Sequence, residues 1–73
     1  MGRLIRLDGS GHTTLAEWTA DDEAAQRAAL AEFDRELEAG MLASVTSPEG
    51  AEVVRHLPLD AELVVLRRPI AGG

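Results

Sequence analysis

The chain has 73 residues, no cysteine and a net charge of −6, which limits it to one domain and excludes a disulfide framework, a thiolate metal site and a cysteine nucleophile. A domain of this size buries only about 60% of its unfolded surface, too little for a deep pocket with its own catalytic apparatus. At 45% hydrophobic and 27% charged residues the composition is that of a folded domain; the acidic balance speaks against nucleic acid and for a partner with a basic face.

Arg3-Leu4-Ile5-Arg6-Leu7 reads as a strand bounded by turn residues. Asp8-Gly9-Ser10-Gly11 is a tight-turn signal. His12 to Trp18, with β-branched and aromatic residues, completes an N-terminal hairpin. Thr19 is placed to cap a helix, with Asp22 three residues on as a weaker form of the capping box. Asp21, Asp22 and Glu23 put negative charge at the positive end of the helix dipole. Strong helix formers run from Ala20 to Ala39. Leu30, Phe33 and Leu37 share one face with Ala29 at its margin, and Gln26 is the polar exception on that stripe. Gly40 stands where a left-handed residue ends a helix.

Met41 to Thr46 is a third strand, Ser47-Pro48-Glu49-Gly50 a turn, and Ala51 to His56 a fourth strand. Leu57 to Ala61 is an irregular connection. Glu62 to Arg67 is a fifth strand, whose apolar run suits a central strand covered on both faces or well flanked. Residues 1–68 then form the domain, and 69–73 an extended tail, held straight by Pro69 and loosened by the terminal glycines. No stretch has the zones of a signal peptide, and no apolar run approaches the roughly 18–20 residues that span a bilayer. The expected setting is cytoplasmic, without a membrane partner.

The order ββαβββ with a single amphipathic helix predicts a two-layer α+β domain with the helix on one face of a mixed sheet. The last strand is expected beside the first, in parallel, because the sequential hairpins occupy the other neighbours. That layout is the β-grasp. The stretches Met41 to Val45, Leu57 to Leu66 and Pro69-Ile70-Ala71-Gly72-Gly73 resemble the molybdopterin-synthase small subunit and thiamine sulfur-carrier group, which share an acidic turn before the last strand and a proline-apolar-Ala-Gly-Gly ending. The hairpin–helix half, and Leu66-Arg67 near the Gly-Gly end, resemble ubiquitin. The chain departs from both: Arg68 stands where the sulfur carriers often have a second proline, the helix is longer and richer in alanine than in ubiquitin, and ubiquitin's chain-forming lysines have no counterpart.

The resemblance implies a carrier or protein modifier with no catalysis of its own. A separate adenylating enzyme would activate the Gly73 carboxylate with ATP and Mg²⁺, Gly72 would give clearance in a narrow channel, and Arg67, Arg68, Pro69, Ile70 and Ala71 would form the docking lead; Arg67 and Arg68 read equally as charges that keep the end of the last strand soluble. The products would be a thiocarboxylate, a thioester or an amide, on a sulfur-accepting enzyme or an acceptor protein. Nothing in the chain calls for a bound cofactor or metal. The lack of any lysine among the seven basic residues has a plain reading, Arg-favouring codons, and a functional one: an activated acyl donor that offers no side-chain amine to its own copies. The rival class is a non-covalent interaction module with an inert tail, in which the sheet face or an edge strand binds a partner, weak self-association through an exposed edge being one version.

The remaining chemistry-bearing residues have plain readings. His12 and His56 read as surface histidines, because a metal site would need a third ligand. Trp18 reads as half-buried against the helix start rather than as a partner anchor. Glu32, Asp34, Glu36 and Glu38 read as the solvated outer side of the helix. No triad, carboxylate pair in a cleft, phosphate loop or zinc cluster is present in the sequence.

Overall fold

The computed structural model describes residues 1–69, the side chain of Ser47 excepted. Its first hairpin joins β1 (Gly2–Asp8) to β2 (Gly11–Trp18) in antiparallel register. The turn is closed by the Asp8 carboxylate, whose Oδ1 accepts from the backbone N–H and the hydroxyl of Ser10, both at 2.9 Å. Short polar side chains that bond two residues on are strong turn formers. The register slips once: Leu4 faces Ala16 and Ile5 faces Thr14, leaving Leu15 as the extra residue. This bulge interrupts the alternation of β2. As a result the consecutive residues Leu15 and Ala16 both pack against the core.

The helix α1 (Glu23–Glu38) is shorter at its start than helix propensity predicts, and Thr19 is not its cap. Asp22 is the cap: its Oδ1 accepts from the Ala25 backbone N–H at 3.0 Å. A charged carboxylate meets the positive end of the helix dipole better than a hydroxyl. Thr19 instead closes the preceding turn, its carbonyl accepting from the Asp22 N–H. Gln26 ties that turn to the helix by donating to the Thr19 and Ala20 carbonyls at 2.7 and 3.2 Å. Its place on the apolar stripe is thereby explained. At the other end the Gly40 N–H donates to the Leu37 carbonyl and the Met41 N–H to the Glu36 carbonyl. This is the Schellman arrangement, and Gly40 takes the φ of +94° it requires.

Because Met41 is used by this cap, β3 begins one residue later than read from sequence (Leu42–Ser47). It pairs with β4 (Gly50–Val54) through the turn at Pro48-Glu49, and Arg55 and His56 fall outside the strand. The fifth strand, β5 (Leu63–Arg67), runs parallel to β1 and antiparallel to β3. The sheet order is β2-β1-β5-β3-β4. The result is an α+β domain with one helix packed on a five-stranded mixed sheet.

The core lies between helix and sheet and is built from Leu4, Trp18, Ala29, Phe33, Ala43, Leu57, Val64 and Leu66. Trp18 is deeper than half-buried, at 3% exposure. Its indole N–H donates to the Leu59 carbonyl at 2.9 Å, satisfying the one polar atom that burial would strand. The indole lies over Gly2, where any Cβ would collide with the ring. The helix stripe is rotated from its predicted phase: Ala29, Phe33 and Glu36 are buried, Leu37 is partly so, and Leu30 is exposed. Strand β5 is central but covered on one face only, since Leu63 is 41% exposed.

Candidate functional site at the root of the tail

Strand β5 ends at Arg67, two residues before Pro69, which has no N–H to continue a ladder. Three elements converge there: the end of β1 with its turn, the C-terminal cap of α1, and Arg68-Pro69 following β5. Between them is an open cleft of about 1030 Å³ whose walls include Arg6, Asp8, Glu36, Met41, Arg68 and Pro69.

At the cleft's base, Arg6 Nη1 donates to Glu36 Oε1 at 3.2 Å and to Oε2 at 3.4 Å. The Glu36 side chain is 11% exposed and the Arg6 side chain 41%. Glu36 therefore does not belong to the solvated outer side of the helix with Asp34 and Glu38. It sits three residues beyond Phe33, on the sheet-facing side, and a carboxylate there needs a cation. The sequence carried a signal for this pair. Arg6 shares the alternation of Leu4 on β1, and Glu36 shares the 3.6-residue stripe of Ala29 and Phe33. Asp8, fully exposed at the rim, is held below the usual carboxylate range, first by the Ser10 backbone N–H and then by the Ser10 hydroxyl.

Of the docking residues read from sequence, Arg67, Arg68 and Pro69 are all exposed. Arg68 and Pro69 line the cleft, whereas Arg67 is paired in register with Leu42 and is not part of its walls. The two neighbouring arginines thus serve different surfaces. Ile70, Ala71, Gly72 and Gly73 lie outside the described residues. His12 and His56 are exposed. Among the described residues no helix is long and apolar enough to cross a membrane.

The cleft joins two guanidinium groups, two carboxylates and the negative end of a helix dipole in one open groove. Such a groove can grip an extended polypeptide by hydrogen bonds along its backbone and by ion pairs of either sign. A scan against protein-family models, a search of the curated proteins and a search of the solved structures each find no match for this chain.

Proposed function

We propose that this chain is a β-grasp carrier of the ubiquitin-like class, whose Gly73 carboxylate is activated by a separate ATP-dependent adenylating enzyme. The observation that carries the reading is the origin of the tail. It springs from β5, a strand clamped between β1 and β3, so its root is held by ladders on both sides. The strand ends at Arg67, and Arg68 and Pro69 line an open, charged cleft. Delivery of a carboxylate into another protein's active site is served by a body that holds the strand leading to it firmly on both sides.

The chemistry is borne by the partner. A carboxylate oxygen attacks the α-phosphorus of ATP, pyrophosphate leaves, and the carboxyl becomes an acyl-adenylate. A partner's thiolate, or sulfide, then adds to the carbonyl carbon and AMP departs with the electron pair of the broken C–O bond, leaving a thioester on the partner or a thiocarboxylate on Gly73. The side chains of this chain supply docking: Arg68 at the cleft and Arg67 on the sheet face. The Pro69-Ile70-Ala71 lead favours sulfur carriage over conjugation to amines. A second reading, a non-covalent binding module, is favoured by the uncovered face of the sheet.

The test is intact mass spectrometry after incubation with cell extract, ATP and Mg²⁺, beside a variant lacking Gly72 and Gly73. A thiocarboxylate or an adduct mapped to Gly73, absent from the shortened chain, is the expected result. An unchanged mass in an extract that activates a known carrier overturns the tail reading and leaves the binding module.

A further inference from the structure

Two strands bound the sheet, β2 and β4, and each turns one row of backbone groups away from it. They differ as templates for further pairing. Strand β2 carries the bulge at Leu15, which breaks its ladder and protects its edge. Strand β4 pairs with β3 without a slip from Gly50 to Val54. Its turn is the two-residue Pro48-Glu49, so Gly50 forms a hydrogen-bonded pair with Ser47, and by alternation Glu52 and Val54 are bonded to β3 as well. The N–H and C=O groups of Ala51 and Val53 therefore point outward. Among the described residues no further backbone hydrogen bond reaches them. Ala51, Glu52, Val53, Arg55 and His56 are all exposed.

The charges along this edge reverse sign about its middle. Glu49 and Glu52 precede Val53-Val54, and Arg55-His56 follow. A second copy of the strand in antiparallel sense meets acid with base at both ends, whereas a parallel copy meets like with like. Twofold symmetry narrows the register, because directly opposed residues must share a face of the joined sheet. Centring on Glu52 opposes two carboxylates. Centring on Val54 needs Leu57, which the core holds, to complete the ladder. Centring on Val53 opposes two side chains that are each 57% exposed. It joins the Val53 N–H and C=O groups as a hydrogen-bonded pair and sets Ala51 against the partner's Arg55. On the helix side it leaves Glu52 diagonal to the partner's His56. Arg55 and His56 lie past the ladder with β3, and the second copy extends β4 over them.

We infer that the β4 edge is a self-pairing site, at which two copies of the five-stranded sheet join antiparallel about Val53 with both helices on one face. The net charge of −6 opposes this only at long range. The edge itself is nearly balanced in charge, and salt screens the rest beyond about 8–10 Å. A ladder this short buries little area, so the dimer is weak, with a dissociation constant on the order of 10⁻⁴–10⁻³ M. The two β5 strands run in opposite senses in the pair, so the two tail roots at Arg68-Pro69 stand at opposite ends of the joined sheet. None of the residues that line the cleft is on β4. The inference is independent of the tail: it holds whether or not Gly73 is activated.

The test uses the full chain, ¹⁵N-labelled, over concentrations from about 0.05 to about 2 mM, which bracket that dissociation constant. The amide signals of Ala51, Val53 and Arg55 should move with concentration, and sedimentation should show a monomer–dimer equilibrium. In a mixture of labelled and unlabelled copies, an intermolecular NOE should join Glu52 Hα to Val54 Hα, which oppose each other only in this register. Val53→Pro removes the central N–H and leaves the bonds to β3 in place. It should abolish dimerisation, and the buried Trp18 signal verifies the fold. Glu52→Arg and His56→Glu should each weaken pairing at least about threefold, and a mixture of the two variants should pair about as tightly as the unchanged chain. A chain that is monomeric at about 2 mM overturns the inference. So do shifts confined to other strands, an NOE of another register, or a mixture no tighter than its components.

Discussion

The two faces of the sheet are built from the same strands yet follow different rules. Beneath the helix, Leu4, Val64 and Leu66 are fully buried among apolar neighbours. One residue along each strand, Ile5, Leu63 and Val65 belong to the other face, where Leu63 is 41% exposed and Val65 half-buried, while Ile5 is buried. The side-chain period of two allows one backbone to carry both surfaces. Stability comes chiefly from the face that the helix covers. Changes on the two faces should therefore separate cleanly in their effects.

The largest effect should come from the core. A domain of this length has roughly 4–11 kcal/mol of stability. Phe33→Ala removes a ring that is 1% exposed and should cost about 3–5 kcal/mol, as much as the whole stability at the low end of that range. Val53→Ala on the open face, at 57% exposure, should cost less than about 0.5 kcal/mol. Urea unfolding of the two variants measures the contrast. Comparable losses would mean that the open face is covered in solution.

The next effect lies where the chain begins. Gly2 is buried under the Trp18 indole, and a Cβ there would enter the ring. Gly2→Ala should cost about 1–3 kcal/mol by overpacking. Trp18→Leu makes room for the methyl group, so the double variant should lose less than the sum of the two single variants. Additive losses in a double-mutant cycle would mean that the two residues are not in contact.

A smaller effect is expected at the cleft, where the pair Arg6–Glu36 straddles core and solvent. Arg6→Met strands a carboxylate that is 11% exposed. The loss should be about 1–2 kcal/mol, below that of a fully buried pair because the guanidinium is 41% exposed and its field is screened by water. Adding Glu36→Met should recover most of it, since removing both charges leaves none unpaired. A double variant no better than Arg6→Met would show that Glu36 is satisfied by something other than Arg6.

The element order, both hairpin turns and the helix stop at Gly40 were legible because each is written in local residues. The placement of the last strand beside the first followed from topology, since the hairpins had used the other neighbours. The helix phase was not legible. Leucine outranks alanine in hydrophobicity, so Leu30 read as core and Ala29 as margin. In the fold Ala29 is fully buried and Leu30 exposed, and the same rotation carries Glu36 inward. The bulge at Leu15 was hidden as well, because a strand's register depends on its partner. At the candidate site Arg68 and Pro69 were identified by position in the sequence, while the Arg6–Glu36 pair required elements thirty residues apart to meet. Of the two readings of the apolar run in β5, cover on both faces or strands on both sides, the fold takes the second, since β1 and β3 flank it while Leu63 is 41% exposed.

The helix cap offers the mildest test, because it supports the covered face from outside the core. Asp22 and Thr19 both have side chains suited to capping, but only the Asp22 carboxylate accepts from the first turn, at the Ala25 N–H. Asp22→Ala should therefore cost about 1 kcal/mol. In Thr19 the backbone carbonyl makes the contacts, to the Asp22 N–H and the Gln26 side chain. Thr19→Ala retains that carbonyl and should be nearly neutral, whereas Gln26→Ala should lie between the two. Hydrogen exchange at the Ala25 amide supplies the local readout: it should quicken in Asp22→Ala alone. The reverse order, with Thr19→Ala the more damaging, would move the start of the helix back to Ala20 and enlarge the covered face by a turn.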